Sequence, residues 1–112
     1  MDSTSSSSVF GKRLREARQG VGMPQDKLGV KIGLDEGTAS ARISRYETGT
    51  HAAPFDIARK LAKVLRVPTA FLYCEDDELA AVILAWGRLP KGGKKRVAVF
   101  INDEAPALGQ DG

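Results

Sequence analysis

Residues 25 to 49 read QDKLGVKIGLDEGTASARISRYETG, and this stretch decides the fold. Leu28 and Ile32 stand four apart, the spacing that stacks side chains on one helix face, so residues 25 to 32 are expected to be helical. Gly29 is a small residue that would let another helix approach closely. Gly33 tolerates the left-handed geometry that closes helices, and Leu34 supplies the apolar contact that accompanies such an end. A second helix can then start, capped by Asp35, Glu36 or Thr38. From residue 40 to 48 only Ile43 and Tyr46 make an apolar seam, which leaves Ser40, Ala41, Arg42, Ser44 and Arg45 facing outward. Small residues and arginines on one exposed helix face can lie against a polyanion and reach acceptors on base edges.

The flanks read as packing for this stretch. Ser8 can cap a helix over residues 9 to 19, in which Phe10, Leu14 and Ala17 recur at helical spacing while Lys12, Arg13, Arg15 and Arg18 take the other faces. Gly20, Gly22 and Pro24 end it. Residues 55 to 67 form a further helix with Ala58, Leu61, Ala62 and Leu65 inward and Arg59, Lys60, Lys63 and Arg66 outward. After Val67-Pro68, Thr69 can cap a short fifth helix whose Phe71 and Leu72 close the core.

Beyond Tyr73 the character changes. The acidic run Glu75-Asp76-Asp77-Glu78 suits a helix N-terminus through its dipole, and Leu79, Val82, Ile83 and Trp86 then form a broad apolar stripe. That stripe needs a cover, either a second copy of the chain or the preceding helices. Residues 87 to 93 are expected to break the helix. Residues 94 to 101 contain VAVFI, β-branched and aromatic, and suit a short helix or a strand. The serine-rich residues 1 to 8 and the segment 102 to 112 are expected to be a disordered and a flexible tail.

These residues resemble the helix-turn-helix of the lambdoid phage repressor (Xre/Cro-like) family, over about residues 9 to 73. The resemblance is carried by Gln25, Gly29, Gly33, Ile43, Tyr46, Glu47 and Gly49. LDEGTAS departs from the family pattern as a four-residue insertion before the recognition helix. The resemblance implies an all-α fold: a five-helix phage-repressor-like domain over residues 9 to 75 and a short C-terminal helical extension over 76 to 101. It implies a recognition helix in the major groove, with Ser40, Ala41, Ser44 and Arg45 contacting bases. Gln25, Thr38, Arg42, Thr48, Gly49 and His51 would face phosphates, although His51 also fits an ordinary exposed loop. A structural ion pair between Arg18 and Glu47 is implied, orienting the recognition helix without chemistry of its own.

Composition sets the bounds. A chain of 112 residues has room for one small domain with tails, and its 17 Lys/Arg against 14 Asp/Glu give only +3. Residues 1 to 75 hold 12 Lys/Arg and 8 Asp/Glu, so the basic excess lies with the helix-turn-helix, as phosphate contact requires. A single cysteine, Cys74, cannot form an internal disulfide, and with His51 the only histidine no Cys/His metal site or cofactor is expected. MDSTSSSS does not read as a signal peptide, and the apolar run from Leu79 to Trp86 is far short of a membrane span, so a cytoplasmic protein without membrane contact is expected. Neither a glycine-rich phosphate loop nor a nucleophile beside a base can be found, and no enzyme is expected. The resemblance implies a sequence-specific DNA-binding regulator of transcription, in this family most often a repressor, bound as a homodimer to double-stranded DNA at a two-fold related operator. The alternative is an antitoxin or other interaction module that sequesters an unidentified protein partner through the C-terminal segment, and a third reading keeps the fold only as a scaffold.

Overall fold

A computed structural model of the protein describes residues 8 to 109. The order is α1 Val9–Gly20, α2 Gln25–Lys31, α3 Glu36–Thr48, α4 Phe55–Leu65, a 3-10 helix Thr69–Tyr73, α5 Asp77–Arg88 and α6 Lys91–Glu104. Among the described residues there is no strand. Ser8 caps α1 as its position suggests, its Oγ accepting from the Gly11 N–H at 2.9 Å. Leu14, Leu28, Ile43, Leu61, Leu65 and Leu72 are fully buried, one or two from each packed element, and make one core.

Two close approaches set how α3 lies. A Cβ on Gly29 would sit 2.6 Å from the Cβ of Ala39, so α2 and α3 touch where each carries a small residue. Gly11 on α1 faces the backbone carbonyls of Tyr46 and Glu47 in the last turn of α3 and has no room for a Cβ. Between α2 and α3 the chain turns at Gly33, φ +99°, and Leu34 N–H returns to Gly29 O at 3.0 Å.

Several expectations are corrected. Of the three expected caps α3 uses Asp35 and starts at Glu36, but its buried seam is not confined to Ile43 and Tyr46, for Ala39 joins it one turn before Ile43. The fifth helix is a 3-10 turn, too short to settle into α geometry before Cys74 leads out in extended conformation. The chain over 94 to 101 lies within α6, because Pro90 in extended geometry starts a helix and the preceding break is confined to Leu89 and Pro90. Gly87 sits inside α5, where a Cβ would come within 3.0 Å of Pro68 Cγ, and Gly92 and Gly93 sit inside α6. Residues 102 to 104, expected in a flexible tail, end α6. The tail residues 1 to 7 and 110 to 112 lie outside the described residues.

Arg13 is also corrected. Placed outward by its charge, it is 3% exposed and reaches across to the chain leading into α5. Its Nε donates to Cys74 O at 2.7 Å, its Nη2 to Glu75 O at 3.2 Å and Asp77 Oδ1 at 2.9 Å, and its Nη1 to Glu16 Oε1 at 2.9 Å. The guanidinium lies over the Phe71 ring. Burial disfavours its charge, and the Glu16 and Asp77 carboxylates more than offset this, so its pKa is raised. Asp77 is held below the ordinary carboxylate range by Arg13 and then Lys12.

The apolar stripe of α5 is divided. Ala80 enters the core with Ile83 and Leu84 packed against it, while Leu79 and Val82 remain 52% and 49% exposed and Trp86 is half-buried. No α6 residue belongs to the core, and Val99, Phe100 and Ile101 lie exposed on it. The molecule measures 51 × 37 × 22 Å. Its radius of gyration of 16.5 Å exceeds the roughly 13 Å of a compact chain this long.

Candidate nucleic-acid interface

The interface is organised from beneath by Glu47, the penultimate residue of α3 and 2% exposed. A buried carboxylate needs donors on both oxygens. Arg18 supplies them from α1, Nε to Oε2 at 2.5 Å and Nη2 to Oε1 at 3.1 Å, and Gln25 Nε2 donates from α2 at 3.1 Å. Arg15 Nε adds a contact at 3.3 Å. Burial pushes this carboxyl up, but Arg18, Gln25 and Arg15 outweigh it and hold the pKa below its ordinary value. Arg18 Nη1 also donates to Met23 O at 3.0 Å, so one side chain ties α1, the turn before α2, and α3.

The network continues to the surface. Ser40 Oγ donates to Gln25 Oε1 at 3.4 Å, so Gln25 is held between a buried carboxylate and an exposed hydroxyl. Ser40, Ala41, Ser44 and Arg45 follow at i, i+1, i+4 and i+5 on the face opposite Ala39, Ile43 and Tyr46. All but the half-buried Ser44 are exposed. Thr38 and Arg42, four apart, form an exposed strip beside them, and Thr38 Oγ1 donates to Asp35 O at 3.4 Å.

Gly49, φ +82°, ends α3 in left-handed geometry that favours glycine. The loop then folds back: His51 N–H donates to Arg45 O at 3.2 Å, and Thr48 Oγ1 lies 2.8 Å from Thr50 Oγ1. Thr48, Gly49 and His51 are therefore exposed together at the C-terminal end of α3, one helix length from Thr38. Gln25 is half-buried at the start of α2, on the side of Ser40. The expected pair Arg18 and Glu47 is in contact. Arg15 was missed as a second cation on Glu47, although its three-residue spacing from Arg18 puts both on one face of α1. Thr50 and the Ser40–Gln25 contact were missed as well, since neither follows from spacing within one helix.

A model described as helix-turn-helix matches residues 14–72. The chain belongs to the helix-turn-helix family, in its Xre/Cro-like form. Two curated relatives, each called an uncharacterized HTH-type transcriptional regulator, come from Sinorhizobium medicae (strain WSM419) and Rhizobium meliloti (strain 1021). Each is 32% identical over 63 residues, 56% of this chain and 42% of the relative, so this helix-turn-helix chain spans less than half the length of those proteins. Among solved structures, the crystal structure of transcriptional regulator BswR matches with a TM-score of 0.79 at 43% identity, over 83% of this chain and 92% of that one. That likeness reaches beyond the helix-turn-helix segment. Among the described residues no helix is long and apolar enough to cross a membrane, and no cluster of His, Cys, Asp or Glu is arranged to hold a metal.

Proposed function

We propose that this helix-turn-helix protein is a sequence-specific DNA-binding regulator of transcription, acting in the cytoplasm as a repressor on a two-fold related operator. The observation that carries the reading is the outer face of α3, where exposed Ser40, Ala41 and Arg45 stand over a recognition helix locked by the Arg18–Glu47–Gln25 network. Pre-organisation matters because a reading helix must present its side chains to base edges without paying to order itself. In this reading Ser40, Ala41, Ser44 and Arg45 meet bases, Arg45 through the two acceptors of guanine. Gln25, Thr38, Arg42, Thr48, Gly49 and His51 serve the phosphates, which set register and carry no sequence information.

The dimer is assigned to the C-terminal extension. What supports it is the apolar surface left on α5 by Leu79 and Val82, with Trp86 beside them, and on α6 by Val99, Phe100 and Ile101. A soluble domain of this size seldom leaves so much apolar surface wet. The same surface favours a second reading, in which α5 and α6 grip another protein and the DNA contact is secondary. Selection of bound sequences from a random DNA pool tests the first reading: one two-fold symmetric site is expected. Recovery of no preferred sequence would reject it and leave the interaction module or a bare scaffold.

A further inference from the structure

The second half of α1, the end of α4, the 3-10 helix and one side of α5 surround an open cleft of about 540 Å³. That volume falls within the range of small-molecule sites. Leu65 and Phe71 form its closed floor, and its accessible apolar surface comes from Val21, Val67, Ala81 and Leu84. Its charged groups are unequally engaged. Glu16 and Asp77 are both held by Arg13, which also donates to Cys74 O and Glu75 O. Arg66 and Arg88 also line the cleft, and among the described residues neither enters an ion pair or a side-chain hydrogen bond. Arg66 is further fixed at φ +59° as the left-handed cap of α4, which sets where its side chain leaves the backbone. The cleft thus offers two uncompensated guanidinium groups beside an apolar wall.

We propose that this cleft binds a small amphiphilic carboxylate, with its apolar body against Val21, Val67, Ala81 and Leu84 and its carboxylate on Arg66 and Arg88. A guanidinium accepts a carboxylate through two parallel N–H···O bonds, and the carboxylate supplies the charge that the cleft lacks. Leu79 and Val82 do not line the cleft, so a ligand there and a second copy on the exposed side of α5 would not compete. The site is independent of the reading of α3. It touches α1 and α5 together, and so a ligand would also strengthen the docking of the C-terminal extension onto the domain.

Isothermal titration of the full chain tests this, with decanoate as the probe and decanol and decyltrimethylammonium as uncharged and cationic bodies of equal length. Decanoate is expected to bind below its micelle concentration, and the other two at least about tenfold more weakly. Arg88→Gln is expected to weaken decanoate by about tenfold or more. Arg66→Asn, which keeps a residue tolerant of positive φ, is expected to do the same. Ala81→Trp adds bulk at an exposed position of the lining and is expected to abolish binding, while thermal unfolding shows each variant still folded. The proposal is overturned by absence of decanoate binding, by equal affinity for the three bodies, or by an affinity that Ala81→Trp leaves unmoved. It is equally overturned if Ala81→Trp lowers the oligomeric mass, which would make a second copy the occupant.

Discussion

Glu47 concentrates more of this molecule in one side chain than any residue of the exposed face. Removing it leaves Arg18 facing a buried void, and Glu47→Ala should cost about 3–5 kcal/mol in denaturant unfolding, the loss expected when a buried pair is broken from one side. A loss within error of zero would mean the pair is only decorative. Because the folded pKa of Glu47 is depressed, its contribution is fully present above the ordinary carboxylate value and is lost as pH falls through the folded one. Unfolding followed from neutral pH into the acid range should therefore show a shallower decline for Glu47→Gln than for the parent chain. Arg45 answers a different measurement. Arg45→Ala should cost about 1–3 kcal/mol in operator binding and relax preference at one position of each half-site. Gln25→Ala should weaken all sequences about equally, since the N–H of its amide not given to Glu47 would meet a phosphate, which carries no sequence information. An unaltered selected operator for Arg45→Ala would reassign that arginine to phosphate. Arg18 and Glu47 were legible through the resemblance, which pairs an arginine near the end of the first helix with a glutamate near the end of the recognition helix. Arg13 was not: on the helical wheel it borders the arc of Leu14 and Ala17, and its backbone acceptors lie more than sixty residues away, where no local pattern reaches.

At the scale of elements, the contact of α2 with α3 depends on the absence of side chain at Gly29. Gly29→Ala should overpack against Ala39 and cost about 1–3 kcal/mol. Adding Ala39→Gly should recover part of that loss, and a double-mutant cycle showing strict additivity would place the strain elsewhere. Gly29 and Gly33 could be read in advance because small size and positive φ are properties of the residue alone. Ala39 could not, since alanine is neutral in pattern and the seam of α3 was first visible at Ile43. The start of α3 was legible, since Asp35 stood among the candidate caps; what was not legible is that the added turn places Ala39 against Gly29. In α6 the signals conflicted, β-branched residues against a starting proline, and the proline's fixed φ prevailed.

For the molecule as a whole, α5 belongs half to the domain and half to whatever covers Leu79 and Val82. A chain cut at Glu75 would lose Ala80 from the core and Asp77 from Arg13, and so would test folding rather than association. Substitution on the outer side is cleaner. Leu79→Glu with Val82→Glu should leave thermal unfolding of the monomer near that of the parent while lowering the sedimenting mass from dimer to monomer. An unchanged mass would remove α5 from the interface. The domain limit at residue 75 was expected from a change of composition, and hydrogen bonds from Lys12 and Arg13 to Asp77 cross it. Those bonds also order events during synthesis. The ribosome delivers α1 first, yet every backbone acceptor of its buried guanidinium is made after Leu72, the last residue of the family segment. A nascent chain that has released the whole family segment holds Arg13 by hydrogen bonding to Glu16 alone until Cys74, Glu75 and Asp77 emerge. The docking of α1 is thus completed only once the start of the extension has been translated.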